Sequence, residues 1–108
     1  MAFKTKSLRY LGGISGQGVV KRNGAIVARV RFDLDGYFQP VVGVTGSGEI
    51  SLPQGELESL FGRSDLQLLT DHGLLLTLRF SDSKLPAAGV TAGVEVRGVS
   101  PIAAEDWR

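Results

Sequence analysis

The glycine-rich segment GISGQGVVK at residues 13–21 recurs as GVTGSGEIS at 43–51 and as GVTAGVEVR at 89–97. In each copy, aliphatic residues or glycines alternate with mostly polar residues, and this period of two predicts a half-buried antiparallel strand. Glycine inside a strand marks a tight bend or a close approach of another element, so inward glycines in two copies predict a small barrel around a narrow core. The predicted inward positions are Ile14, Gly16, Gly18 and Val20, then Val44, Gly46, Gly48 and Ile50, then Val90, Ala92, Val94 and Val96.

The same glycines could form a phosphate-binding loop, which uses amide groups at the amino end of a following helix. GISGQG runs into a strand and a hairpin signal, and GVTGSG runs into EISLP, so a helical pattern follows neither segment. The spacing is also Gly-x-x-Gly-x-Gly, the reverse of the dinucleotide-binding order. The glycines therefore indicate a structural role.

The segment AIVARVRFDLD at residues 25–35 alternates in the same way and follows the turn signal RNG. Two loops are open. A two-residue Asn23-Gly24 loop would put Lys21 on the apolar face of the sheet. A three-residue loop over residues 22–24 keeps the lysine out of the core, and we favour it. In that register Lys21 pairs with Ala25, Val20 with Ile26, and Val19 lies across from Val27.

The rest of the sequence predicts one helix and a second hairpin. Leu57, Leu60 and Phe61 fall at helical spacing before Gly62, which predicts a short helix near residues 54–61. The apolar segments at 66–70 and 74–80 predict two strands around a turn at 71–73. The length of 108 residues is that of one domain. We predict an all-β fold, a six-stranded antiparallel β-barrel or sandwich with one short helix, in which tails at 1–12 and 99–108 flank a core at 13–98.

Composition excludes several classes of protein. The hydrophobic fraction of 43% is that of a globular chain. The absence of cysteine excludes a disulfide framework, a thiolate zinc site and a cysteine nucleophile. The sequence has no apolar run long enough to span a bilayer or to form a secretory signal core. We therefore expect a soluble cytoplasmic protein with no membrane partner.

The sequence offers little that indicates catalysis. His72 is the only histidine and lies in a predicted turn. The Asp33–Gly36 segment begins like a calcium loop but lacks the later ligands of an EF-hand. No spacing pairs two carboxylates for acid and base chemistry. We predict a protein without enzyme activity, metal site or cofactor.

Apolar residues at outward positions predict an interaction surface. Val19 and Val27 lie across from each other in the favoured hairpin, and Leu69 lies across from Leu75 in the second one. Paired apolar residues on an outer face form a patch that either a partner or another part of the chain covers. Two interpretations of these four residues are open. The first is cover by the tails, for which the candidates are Leu8, Tyr10, Leu11, Ile102 and Trp107. The second is an interface with a second copy or another protein.

The charges are divided unevenly along the sequence. Seven basic residues precede the first acid, Asp33, and eleven acids against five bases follow from there. Such asymmetry indicates either a polyanion-binding face or two halves that neutralise each other. The alternative function is therefore binding of single-stranded nucleic acid or another polyanion, for which the candidate residues are Lys21, Arg22, Arg29 and Arg31.

The segments GQGVVKRNGAIVARVRFDLD, GVTGSGEISL, LQLLTDHGLLLTLRF and GVEVRG resemble short, uncharacterised bacterial proteins that consist of one small β-rich domain. The resemblance spans about residues 13–98 and implies a compact antiparallel barrel or sandwich. It implies no activity, cofactor or site residue. The first hypothesis for function, a non-catalytic binding or assembly module that self-associates, rests on the paired outward valines and leucines and on the opposed charges of the two halves.

Overall fold

The structure is a computed structural model and describes residues 8–53, 55–85, 90–99 and 103–108. In these residues, six antiparallel strands form a closed barrel in the order β1-β2-β3-β6-β5-β4. The predicted all-β fold with six strands and one short helix is confirmed, and the sheet closes into a barrel. The elements are β1 (Arg9–Arg22), β2 (Ala25–Gln39), β3 (Gly43–Ser51), helix α1 (Glu56–Leu60), β4 (Leu66–Thr70), β5 (Leu75–Phe80), β6 (Thr91–Gly98) and a 3₁₀ turn at Ala104–Asp106.

The three repeated segments lie in β1, β3 and β6, and their inward positions are as predicted with two exceptions. Val20, Val44, Ile50, Ala92, Val94 and Val96 are buried in the core. Gly16 faces the Phe32 ring but is exposed, because β1 pairs with β4 only from Gly18 to Arg22. Val90 is exposed because it precedes the first residue of β6.

The turn between β1 and β2 differs from the favoured prediction. It is the two-residue Asn23-Gly24 turn, in which both residues have positive φ, 52° and 84°. Arg22 pairs with Ala25 and Lys21 with Ile26, but Val20 pairs with Ala28, so Val27 is the extra residue of a β-bulge. A two-residue turn alone would have placed Arg29 and Arg31 on the inner face of β2. The extra residue of the bulge returns Ala28 and Val30 to the inner face.

This correction changes the positions of two apolar residues. Ile26, predicted to face the core, is 66% exposed. Val27 does not lie across from Val19, which instead pairs with Arg29. Because the bulge takes up one residue, Lys21 stays out of the core even with a two-residue loop.

Four glycines allow the barrel to close, in two different ways. A Cβ atom on Gly18 would lie 2.5 Å from the carbonyl oxygen of Leu69, and one on Gly48 would collide with the carbonyl oxygen of Asp33. These two positions therefore permit close approach of neighbouring backbones. Gly36 and Gly46 instead leave room for the indole ring of Trp107.

Trp107 fills the interior of the barrel beside β2 and β3. It is only 6% exposed, and its indole Nε1 donates a hydrogen bond of 3.0 Å to the carbonyl oxygen of Gly12. The segment predicted as a carboxy-terminal tail thus contributes a core residue. The segment predicted as an amino-terminal tail also contributes, because β1 begins at Arg9.

The second hairpin and the helix agree with the sequence prediction. Leu68 pairs with Leu76 and Leu66 with Leu78, and all four side chains are buried. β5 begins at Leu75, one residue later than predicted, because the Leu74 amide donates to the Thr70 hydroxyl in the turn. Helix α1 packs Leu57 and Leu60 on the core and ends before Gly62, whose φ is +83°.

Candidate functional site: an apolar row and a polar groove on the outer face

Three apolar side chains form a row across the outer face of β1, β4 and β5. Val19 pairs with Leu69, and Leu69 pairs with Leu75. Val99 extends this row beyond the end of β6, since its amide donates to the Leu75 carbonyl oxygen at 3.3 Å. The first three side chains are half-buried, and Val99 is 43% exposed. We call Val19, Leu69, Leu75 and Val99 the apolar row.

The apolar row contains three of the four residues predicted as an interface. Val27 is the exception, because the bulge places it opposite no residue of β1 and Arg29 takes the position across from Val19. Val99 was not predicted, since its position beside Leu75 depends on the pairing of β6 with β5.

A second exposed apolar feature lies in the turn between β2 and β3. Val41 is fully exposed, at 107% of the reference area, and has a φ of +74°. A β-branched residue in this backbone region is strained, and such strain clusters at functional positions. Val42 beside it is also exposed. The pairing of Thr45 with Arg97 places this valine turn, Val41 and Val42, at the same end of the barrel as Val99.

Three of the described residues proposed as alternative cover make their contacts elsewhere. Trp107 is inside the barrel, and Leu11 packs on the core. Tyr10 donates a hydrogen bond to Asp35 and contacts Tyr37, at the opposite end of β1 from Val19. Leu8 is exposed next to that end. The remaining candidate, Ile102, lies outside the described residues.

Two of the four predicted polyanion-binding residues, Arg22 and Arg29, are paired with carboxylates. Arg29 makes a bidentate ion pair with Asp71, at 2.6 Å and 3.1 Å. Arg22 lies 3.3 Å from Asp65. Lys21 stands between Ile26 and Gln67, whereas Arg31 stands between Gln17 and Ser51. Two basic residues of the first half are therefore neutralised by acids of the second half, which favours the second interpretation of the charge asymmetry for these pairs.

A polar groove of about 980 Å³ crosses the outer face next to the apolar row. Its floor is a row of paired positions on five strands, from Gln67 on β4 through Thr77, Arg97 and Thr45 to Tyr37 on β2. The Asn23-Gly24 turn and Asp65 line one end of the groove, and Ser47, Arg79 and Glu95 line a second row.

Two arginines, Arg79 and Arg97, and two acids, Asp65 and Glu95, line the polar groove, and the side chains of Arg22 and Arg63 reach its Asp65 end. Asp65 is shared by two guanidinium groups, those of Arg63 at 2.8 Å and Arg22 at 3.3 Å. The hydrogen bond from Arg63 is the main cause of the lowered pKa of Asp65. Arg79 and Arg97 have no carboxylate within 4.0 Å among the described residues, although Glu95 is paired with Arg79 across the sheet.

Acidic side chains cover the outer face of β2 and β3. Asp33 and Glu49 lie directly across from each other, and Asp35 is in the next outward position. Asp35 accepts a hydrogen bond of 2.7 Å from the Tyr10 hydroxyl, which is the main cause of the raised pKa of Tyr10. This acidic face, Asp33, Asp35 and Glu49, adjoins the Tyr37 end of the polar groove.

Among the described residues, no group of three His, Asp or Glu side chains is placed to hold a metal ion. His72 is exposed in the turn between β4 and β5. None of the helices in the described ranges has the length and apolar character needed to cross a bilayer.

Comparison with known proteins gives no relative for this chain: no family model, no curated protein and no solved structure matches it. The resemblance to short bacterial β-rich proteins therefore stays a prediction.

Proposed function

We propose that this protein is a non-catalytic binding module that self-associates through the apolar row. The observation that carries the proposal is the alignment of Val19, Leu69 and Leu75 in one cross-strand row on an outer face. Since the strands close into a barrel, we assign the contact to a sheet face and not to an open sheet edge.

The surroundings of the apolar row have the composition of an interface. Stable interfaces have an apolar centre and a polar rim. Lys21 and Gln67 flank the row on one side, and the Arg29–Asp71 ion pair flanks it on the other. The exposed valine turn at the same end enlarges the apolar area. A second copy is the simplest partner, since the same patch on both subunits can pair about a two-fold axis.

The test is the molar mass in solution as a function of protein concentration, measured by light scattering or sedimentation velocity. We expect a concentration-dependent dimer. Val99→Glu and Leu75→Glu should each raise its dissociation constant at least tenfold, because a carboxylate at the centre of an apolar interface would lose its hydration.

Ile26→Glu is the matched control, because Ile26 is more exposed than Val99 but lies outside the apolar row. It should leave the association unchanged. Circular dichroism should give the same β spectrum for all three variants. A monomer at every concentration up to the millimolar range at low salt would refute the proposal, as would equal effects of Ile26→Glu and Val99→Glu.

A further inference from the structure

We propose that the polar groove binds single-stranded nucleic acid. This inference is carried by Arg79, Arg97 and Tyr37, which lie outside the apolar row, although Val99 of the row also lines the groove. Its test, the binding of an oligonucleotide, is separate from the test of self-association. The groove also differs from the site predicted from the sequence, since it uses Arg79 and Arg97 of the second half together with Tyr37.

The first argument is the charge of the groove. Arg79 and Arg97 lie in diagonal positions on β5 and β6, since Arg79 pairs with Glu95 and Arg97 with Thr77. Diagonal neighbours are about 7–8 Å apart at their Cα atoms. Two guanidinium groups at this separation can each contact a phosphate of one flexible strand. The trio of Arg22, Arg63 and Asp65 adds one uncompensated positive charge at the end of the groove.

The second argument is an aromatic platform at the opposite end. Tyr37 lines the groove, and its ring centroid is 5.4 Å from that of Tyr10. The hydrogen bond from Tyr10 to Asp35 fixes the supporting ring. Proteins that bind single strands combine a positive groove with aromatic side chains on which bases stack. Both components occur here on one continuous face.

The third argument is length and hydrogen bonding. From Gln67 on β4 to Tyr37 on β2 the path crosses four strand-to-strand steps, or roughly 19 Å along the curved surface of the barrel at about 4.8 Å each. Thr45, Ser47 and Thr77 place hydroxyl groups along this path. Hydroxyl groups and arginines are the usual donors to phosphate and sugar oxygens. The groove therefore suits a short oligonucleotide better than a single small anion.

The experiment is a fluorescence anisotropy titration of labelled oligothymidine at several salt concentrations. Affinity should fall with salt, and the slope of log K against log salt should decrease by about 0.7 for each phosphate contact removed in Arg79→Ala or Arg97→Ala. Tyr37→Ala should weaken binding by between about fivefold and a hundredfold, because base stacking is lost. Glu95→Gln should strengthen binding, since it removes a carboxylate from the groove.

Arg31→Ala is the matched control, because Arg31 is exposed but lies outside the groove. It should leave the affinity and the salt slope near those of the unmodified protein, and duplex DNA of the same length should bind more weakly because its bases are already stacked. Absence of binding at low salt would overturn the proposal. An equal loss in Arg31→Ala and Arg97→Ala would also overturn it. So would binding that Tyr37→Ala leaves unchanged and that inorganic polyphosphate displaces equally well, since the ligand class would then be polyanions in general.

Discussion

The β4–β5 side of the barrel and the β2–β3 side are built in opposite ways. β4 and β5 carry leucines on both faces, with Leu68 and Leu76 inside and Leu69 and Leu75 outside. β2 and β3 instead have glycines at two inward positions, which Trp107 fills, and acids on the outer face. The β4–β5 side thus has apolar side chains on both faces of the sheet, whereas the core on the β2–β3 side is filled by Trp107 from the carboxy-terminal segment.

This difference favours the β4–β5 side as the contact face in the proposed self-association. Strands that are covered on both faces have near-continuous apolar sequences, whereas strands with one face in water alternate. β4 and β5 approach the first pattern and β2 follows the second. The directly opposed Asp33 and Glu49 repel each other and any acidic surface brought near them. The acidic face therefore disfavours an apolar contact on the outer face of β2 and β3.

The largest expected effect concerns the tryptophan on the glycine side. Trp107→Ala should lower the free energy of unfolding by about 3–5 kcal/mol, because it leaves a cavity against Gly36 and Gly46 and removes the hydrogen bond to Gly12. Chemical denaturation followed by circular dichroism measures the change. Trp107→Phe should lose less, since an aromatic ring still fills the space. A loss below about 1 kcal/mol for the alanine variant would show that Trp107 is not part of the core.

A pair of glycine substitutions tests where the sheet needs close backbone contact. Gly48→Ala should destabilise the protein by about 1–3 kcal/mol, because its methyl group would collide with the carbonyl oxygen of Asp33. Gly16→Ala is the control, since its methyl group would lie 3.6 Å from the Phe32 ring, an ordinary contact distance. This variant should be neutral or slightly stabilising, because alanine restricts the unfolded chain. Equal losses in thermal denaturation would contradict the assignment of Gly48 to close packing.

The acidic face should yield a smaller effect of the opposite sign. Asp33→Asn removes one of two like charges that lie directly across from each other, and should raise the free energy of unfolding by about 0.2–1 kcal/mol at low salt. The gain should shrink in high salt, since salt screens the repulsion between exposed charges. Denaturant unfolding at two salt concentrations measures both quantities. A loss of stability at low salt would indicate that Asp33 has a favourable partner.

The smallest effect concerns the pH dependence contributed by Asp65 beside the polar groove. Its pKa is lower in the folded protein, chiefly because Arg63 donates hydrogen bonds to the carboxylate. A lowered folded-state pKa adds stability above the unfolded pKa, about 3.9, and that stability is lost as pH falls through the folded pKa. The unmodified protein should therefore be more stable than Asp65→Asn at pH 6, and the difference should disappear as the pH falls through the folded-state pKa of Asp65. A difference that persists in acid would point to packing and not to charge.

Much of the fold could be predicted from the sequence because alternation is a local property. The inward residues of β3 and the pairing of Leu68 with Leu76 required only a period of two and a turn signal. The β1–β2 turn could not be predicted in this way. Asn23-Gly24 favours positive φ at both residues, as a two-residue turn requires. Such a turn keeps the apolar residues of β2 inward only if a bulge follows at Val27, and no local sequence signal marks that bulge. The position of Trp107 depended on glycines about sixty residues away or more along the chain.

The candidate site was less predictable for the same reason. The apolar row combines residues whose outward direction was predictable, but Val99 joins them only through the pairing of β6. The charge distribution along the sequence did not predict the polar groove, because Arg79 and Arg97 lie in the half of the sequence where acids outnumber bases. A cross-strand row becomes visible only when the strand order is known.

The strand order also has a consequence for how the barrel forms. β1, β2 and β3 are consecutive neighbours in the sheet, and so are β4, β5 and β6; the ladders β1–β4 and β3–β6 join these two halves and close the barrel. These ladders join positions that are distant in sequence, such as Thr45 and Arg97. Because closing such long loops costs chain entropy before the contacts form, folding should take milliseconds to seconds. Detaching β6 would open its ladders with both β3 and β5 and leave the barrel unclosed. The molecule should therefore unfold in one cooperative step, without a stable five-stranded intermediate.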